Sequence, residues 1–355
     1  MSSPGSADDQ VSGAGERALI DRIRRRVPPA PASLVVGIGD DAAVAVPDRG
    51  ALQVLTTDAL VEGVHFDRRY STPADIGYKA LAVNISDVAS MGGAPRFALL
   101  SLMLPLGITT DEVDGLLDGL LELAAETRVS LAGGNITRSP GPLVVDVTVI
   151  GSVKPRKILT RGGAKAGDVL YVTGQIGAAA AGLAWLRREA DAQGQGEERV
   201  RGTVLPRPEK PEQAECVARH CRPEPRARIG ALLGRNRAAS ACMDLSDGLA
   251  DGVTQLSAAS RTGATIDAAL LPIHPGAHAW FGGTGEDVVA ACVAGGDDYE
   301  LLFAVPRRAR RRLRTVLQES RGVPITRIGE LTADGAVGLL RDGRLEALPA
   351  GFVHF

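Results

Sequence analysis

Short apolar runs that stop at an acid recur along this chain, and their spacing constrains the fold more than any other feature. The type example is Val35-Val36-Gly37-Ile38-Gly39-Asp40-Asp41-Ala42-Ala43-Val44, an apolar strand that passes through two glycines into adjacent carboxylates. Thr56-Thr57-Asp58, Asn84-Ile85-Ser86-Asp87, Asp244-Leu245-Ser246-Asp247 and Gly295-Gly296-Asp297-Asp298 repeat the pattern. Strand-length runs alternating with segments of helical apolar spacing predict a two-domain α+β or α/β protein. Adjacent acids on an extended backbone face opposite ways, so Asp40 and Asp41 are not one acid/base dyad: one faces a site and the other supports it.

In chain order, 1–15 is a Ser-, Gly- and Asp-rich tail expected to be disordered, and 16–26 is a short helix stopped by Pro28, Pro29 and Pro31. Strands are expected at 34–38, 42–46 and 52–57, a helix at 72–91 and a strand at 97–104. Thr109-Thr110-Asp111-Glu112 offers a capping box to a further helix, and 143–151 alternates as a half-buried strand. The reading is a β-α-β-β-α-β sheet domain over 16–152, with helices on one face, followed by a separate α/β domain over 153–355. The polar stretch 193–202 reads as an insertion in the latter.

At 355 residues, 45% hydrophobic and 23% charged, the chain suits about two domains. A formal net charge of −2 gives no bias toward nucleic acid or an anionic membrane, and neither is expected as a partner. With no apolar run near the length of a membrane span and no secretory signal pattern, a cytoplasmic location is expected. The four cysteines form no C-x-x-C pair and are expected to be free thiols. The arginines at 307–314 share an amphipathic helix with Leu313, Val316 and Leu317, which favours a solvated face over an RNA-binding surface.

Gly37-x-Gly39-x-x-Ala42 resembles a relaxed dinucleotide fingerprint, but a strand rather than a helix follows it and two aspartates would repel phosphates. Any single station can be an ordinary cap or turn, and Asp111 and Asp168 are assigned such roles. The recurrence of Asp beside Gly, Thr, Ser or Asn instead suggests hard oxygen donors converging on magnesium. Without a G-x-x-x-x-G-K-[ST] loop, use of ATP would rest on metals more than on a phosphate-cradling lysine. Transfer between two phosphorylated molecules has particular need of such metals, and an already ionised phosphate acceptor needs no general base.

The motifs Gly37-Ile-Gly-Asp-Asp-Ala-Ala, Thr56-Thr-Asp-Ala-Leu-Val-Glu-Gly-Val-His-Phe66, Lys79-Ala-Leu-Ala-Val-Asn-Ile-Ser-Asp-Val-Ala-Ser-Met-Gly92, Leu159-Thr-Arg-Gly-Gly-Ala-Lys-Ala-Gly-Asp168, Met243-Asp-Leu-Ser-Asp-Gly-Leu249 and Gly295-Gly-Asp-Asp-Tyr-Glu-Leu301 stand in this order. From about residue 16 onward the chain resembles the thiamine-monophosphate kinases, of the superfamily that includes aminoimidazole ribonucleotide synthetase and selenophosphate synthetase. The resemblance implies direct transfer of the ATP γ-phosphate to thiamine monophosphate, several Mg2+ ions, and a homodimer whose N-terminal sheets pair into a barrel. It implies magnesium ligands at Asp40, Thr56, Thr57, Asp58, Asp87, Asp244 and Asp247, with Asp58, Asp87 and Asp244 at the reaction centre. Asp41 then falls behind Asp40 as a support. The nucleotide falls to Gly134, Asn135, Arg161 and Ser246, and the thiamine phosphate to His65, Asp297 and Phe352.

Asn135 stands where the family commonly has Asp, which keeps an oxygen ligand but loses a charge and implies weaker metal binding there. Asp297 replaces a usual Glu, and Val353 a usual acid. The alternatives are another ATP-dependent superfamily member, though the reactive N- or C-terminal cysteine of two such relatives is lacking, or a non-catalytic nucleotide-binding relative.

Overall fold

The computed structural model describes residues 11, 16–192 and 208–351. The tail expected at 1–15, apart from Val11, the insertion at 193–202 and Phe352 lie outside them. The described chain forms two compact units. One contains the residues through Ile85 and Pro95–Ser152; the other contains Ser86–Ala94 and the chain from Val153 onward.

In the first unit, helix α1 (Glu16–Arg26) precedes the small pair β1 (Leu34–Val36) and β2 (Val44–Ala45), which is antiparallel. A second sheet follows, built from β3 (Leu52–Val61), β4 (Ala94–Leu104), β5 (Ser130–Arg138) and β6 (Val144–Val153) in the order β3-β6-β4-β5. Helices α2 (Pro73–Ser90) and α3 (Thr110–Thr127) connect β3 to β4 and β4 to β5. The chain order is therefore strand-helix-strand-helix-strand-strand, with the second helix one strand earlier than the expected β-α-β-β-α-β rhythm. The capping box is present: Thr109 accepts from Glu112 N, and the Glu112 side chain accepts from Thr109 N.

Each strand of this sheet has two faces because side chains alternate. On β6, Val145, Val147 and Val149 are buried while Asp146, Thr148 and Ile150 are not. On β3, Leu55 remains 67% exposed, and Val35 and Val44 of the small sheet and the adjoining Val46 are also exposed. The apolar helix positions Ile76, Leu81, Leu117 and Leu120 likewise have almost no exposure.

The two helices of this unit approach backbone to backbone. A Cβ on Gly77 would lie 1.8 Å from the Leu116 carbonyl oxygen, and one on Gly119 would lie 1.7 Å from that of Ala74. Glycine is thus required on both helices at the crossing.

The second unit is built on a seven-stranded sheet in the order β13-β12-β9-β11-β7-β10-β8. Its strands are β7 (Val169–Thr173), β8 (Ala241–Asp244), β9 (Gly263–Asp267), β10 (Leu301–Val305), β11 (Ile325–Thr332), β12 (Val337–Arg341) and β13 (Arg344–Ala347). The pairings are antiparallel except for β12 with β9. Helices α4 (Ala178–Ala192), α5 (Pro211–Cys221), α6 (Ala227–Asn236), α7 (Leu249–Ser260), α8 (Pro275–Thr284), α9 (Val288–Ala294) and α10 (Arg310–Glu319) complete the unit.

Alternation along β10 divides the core. Leu302 and Ala304 join Val172, Met243, Val253 and Ile266 on one face. Leu301, Phe303 and Val305 join Ile229, Leu233, Leu313 and Val316 on the other, where Tyr171 stacks on Phe303 at 5.8 Å. On α10 the arginines point outward from Leu313 and Val316, and on the α4/α8 side Arg188 sits 4.4 Å over the Trp280 ring. Among the described residues no helix is long and apolar enough to cross a membrane.

Gly77→Ala tests the helix crossing. Alanine favours a helix by about 1 kcal/mol over glycine, yet overpacking here is expected to cost more and leave a net loss of about 1–3 kcal/mol. Urea unfolding followed by far-UV circular dichroism reads the sign, and a more stable variant would refute the contact.

Candidate functional site

The Gly-Asp-Asp stretch is a turn and not the extended segment expected from sequence. β1 ends at Val36, Gly39 has φ +113°, and Asp41 and Ala42 lie in a bend. Asp40 Oδ1 accepts from Asp41 N at 2.8 Å, so the first acid tightens the turn that carries both. A Cβ on Gly39 would lie 3.0 Å from the Arg24 guanidinium, which packs against the loop. The loop borders a cavity of about 1160 Å³ that Asp40 and Asp41 share with Ser101, Gly134, Asn135 and Thr148. Gly134 is needed because a Cβ there would lie 1.9 Å from the Leu100 carbonyl oxygen on the adjacent strand. Asp40, Gly134 and Asn135 thus border one cavity.

Thr56, Thr57 and Asp58 are divided by strand alternation. Thr56 and Asp58 share one half-buried face of β3. The Thr57 hydroxyl lies on the other face, donating to Asp146 Oδ1 at 3.0 Å and meeting the Thr148 hydroxyl at 3.0 Å. His65 Nδ1 accepts from Val61 N at 3.1 Å, so in the neutral ring the proton sits on Nε2. Lys79 donates to the His65 carbonyl at 3.3 Å and is only 2% exposed. A lysine amid Ile76, Ala80 and Val83 was a readable signal, since lysines are seldom buried unless partnered.

The second unit gathers Asp87, Arg161, Asp244, Ser246, Asp247 and Asp297. Asp244 ends β8 and is buried, and its Oδ2 accepts from Ser86 Oγ at 2.7 Å. Burial, and next the charge of Asp87, push its carboxyl up to about 6; the Ser86 bond, its own N–H and the charge of Arg161 pull the other way. The Ser246 and Asp247 side chains are 3.4 Å apart on the turn into α7. That turn is stitched to the Gly295–Glu300 segment by Asp297 N to Ser246 O, Tyr299 N to Leu245 O and Leu245 N to Glu300 O, at 2.7 to 2.9 Å.

Asp297 and Tyr299 adopt left-handed φ values of 69° and 49°, an uncommon conformation that the surrounding bonds hold. The acids of this segment separate accordingly. Asp298 accepts from Gly177 N at 2.7 Å and Ala179 N at 3.2 Å, and burial, the largest influence, pushes it up to about 7. Glu300 accepts from Arg226 and from Thr173 Oγ1, all three residues being buried. Asp297 remains 29% exposed in its side chain, with Oδ2 at 3.4 Å from Nδ1 of the buried His220.

Cys216, near His220 in sequence, faces His274 instead, with Sγ at 3.5 Å from Nδ1. Burial pushes that thiol up to about 12, so it is not a nucleophile. Asp168 holds a turn, accepting from Lys165 N and Ser240 Oγ. Among the described residues no three His, Cys, Asp or Glu side chains already converge as a metal-holding group. The buried Asp244, Ser86 and the nearby charge of Asp87 nonetheless form a hard-oxygen set, which fits a divalent ion completed by water and phosphate.

Comparison with known proteins places residues 39–153 in the AIR synthase related protein N-terminal domain and 165–341 in the corresponding C-terminal domain. The thiamine-monophosphate kinase of Escherichia coli strain K12 is 39% identical over 349 residues, covering 96% of this chain and 98% of its own. The crystal structure of thiamine-monophosphate kinase from Stenotrophomonas maltophilia K279a has 35% identity and TM-score 0.78, over 92% of this chain and 96% of that one. AaThiL complexed with AMPPCP and TMP has 30% identity and TM-score 0.73, over 98% and 99%.

Asp244→Asn keeps an acceptor for Ser86 and removes a buried charge. The folded value of about 6 lies above the ordinary 3.8, so wild-type stability falls as pH rises through that window. At pH 8 in EDTA the variant is expected to exceed the wild type by up to about 3 kcal/mol, an advantage that vanishes below about pH 4. Denaturant unfolding at both pH values measures it; equal stability at pH 8 would contradict the electrostatics described.

Proposed function

The chain belongs to the thiamine-monophosphate kinase family, and we propose that it transfers the γ-phosphate of ATP directly to thiamine monophosphate, giving thiamine diphosphate and ADP. The observation that carries this reading is the near end-to-end likeness to such kinases, including AaThiL complexed with AMPPCP and TMP.

The physical problem is repulsion. Each phosphate carries about −1.5 to −2 charges near neutrality, and two unit charges at 4 Å repel by about 4 kcal/mol at an effective dielectric of 20. Mg2+ bound there would offset this repulsion and act as a Lewis acid on the transferring group. We assign its ligands to Asp40, Thr56, Asp58, Asp87, Asn135, Asp244 and Asp247, with Thr57 able to serve through its carbonyl because its hydroxyl is engaged elsewhere. Gly134, Arg161 and Ser246 are assigned to the nucleotide, and His65, Asp297 and Phe352 to the thiamine phosphate. His65 would present Nε2–H, the tautomer its Val61 contact selects. The acceptor phosphate is already ionised, so in-line positioning takes the place of a general base. The reading also places the activity in the cytoplasm.

The exposed apolar residues Val35, Val44, Val46, Leu52 and Leu55 support a homodimer formed through this unit.

Two measurements test these assignments. ADP formation should require both thiamine monophosphate and Mg2+, and Asp58→Asn should reduce kcat by about 10²-fold or more, the scale of an electrostatic group at the reaction centre. ATP turnover independent of the thiamine compound would overturn the substrate, and an unimpaired Asp58→Asn would overturn the site. Leu55→Asp should shift the chain from dimer to monomer in sedimentation equilibrium, and an unchanged mass would refute this interface.

A further inference from the structure

Arg161 is fixed at both its backbone and its side chain. The preceding Thr160 carbonyl accepts from Cys242 N at 2.8 Å, tying the segment to β8. At the following Gly162, a Cβ would lie 2.7 Å from the Ala259 carbonyl oxygen, so the segment rests directly on the C-terminal part of α7. Arg161 Nη1 donates to Gln255 Oε1 at 2.6 Å, and Gln255 Nε2 donates to Asp251 Oδ2 at 2.5 Å. Asp251 and Gln255 are one turn apart on α7, the spacing that brings helix side chains together.

The chemistry of the three groups fixes the direction of the relay. A guanidinium only donates and a carboxylate only accepts, so turning the amide over would lose both bonds. The relay holds Arg161 where its charge acts on the Asp244 carboxyl. A carboxylate at position 255 would grip the guanidinium more strongly and compensate its charge, whereas an amide grips it and leaves the charge available to a phosphate.

We infer that Gln255, itself oriented by Asp251, is a positioning residue that keeps Arg161 aimed and uncompensated toward the nucleotide phosphates. This deepens the proposed function and rests on its assignment of Arg161 to the nucleotide. Neither Asp251 nor Gln255 is given any contact with the reacting groups.

The test is calorimetric titration of the full chain with AMPPCP and Mg2+, which needs no turnover, together with steady-state kinetics. Gln255→Leu should weaken AMPPCP about tenfold, the loss of one charged hydrogen bond at the low end, and Gln255→Glu should weaken it by a similar factor because its carboxylate compensates the guanidinium charge. Both should raise the KM for ATP while kcat stays within about twofold, the signature of lost ground-state binding. Arg161→Ala should weaken AMPPCP at least as much, and adding Gln255→Leu to it should cost nothing further, because the two act as one unit. Wild-type affinity in the Gln255 variants beside a weakened Arg161→Ala would overturn the positioning role and leave the nucleotide assignment standing. Wild-type affinity in Arg161→Ala would overturn both. Additive losses in the double variant would reduce Gln255 to a structural residue, and tighter binding by Gln255→Glu would overturn the charge argument.

Discussion

The second unit depends on a buried ion pair. Arg226 and Glu300 are both out of solvent, and Thr173 closes the network by donating to Glu300 while accepting from Leu301 N at 2.8 Å. A buried carboxylate that lost its arginine would cost about 3–5 kcal/mol, so the pair works as a lock more than as a net source of stability. What it locks is the start of β10 and the left-handed residues before it. With Asp298 bound to the backbone entering α4, the segment presents Asp297 and stays joined to the turn after Asp244.

Much of this was legible in the sequence, for physical reasons. Asp244 does end a strand and helical spacing with a complete capping box announced α3, but β3 runs on through Asp58 to Val61 and Asp87 lies within α2, so the acids do not mark strand ends in general. Sequence could not say which of two neighbouring acids turns inward. Asp298 and Glu300 are fixed by Gly177 and Arg226, more than 70 residues away in the chain, whereas Asp297 faces His220 and stays partly exposed. The split between Thr57 and its neighbours was readable from strand alternation alone, but the shared motif drew all three to one role.

Local chemistry explains the other differences. Gly276, Gly282 and Gly283 dilute the apolar pattern of helix α8, although His274 caps it and Pro275 starts it. The hairpin of β12 and β13 turns at Asp342-Gly343, where both φ values are positive, a pair of residues suited to such a turn. β1 and β2 are shorter than expected because the glycine-rich turn begins before the apolar run ends. At 3% aromatic residues, close backbone packing also fills space that large rings would otherwise fill, as at Gly77 and Gly119.

The scarcity of rings has an optical consequence. The chain has two tryptophans, Trp185 and Trp280, and both belong to the second unit, one buried in α4 and the other beneath Arg188. Indole emission is therefore a reporter for that unit alone, while the unit bearing Asp40, Asp58 and Asn135 contains no tryptophan. An indole fluorescence change on adding a nucleotide would come from the half that holds Asp244 and Arg161, and a tryptophan introduced into the other half would give that half its own signal.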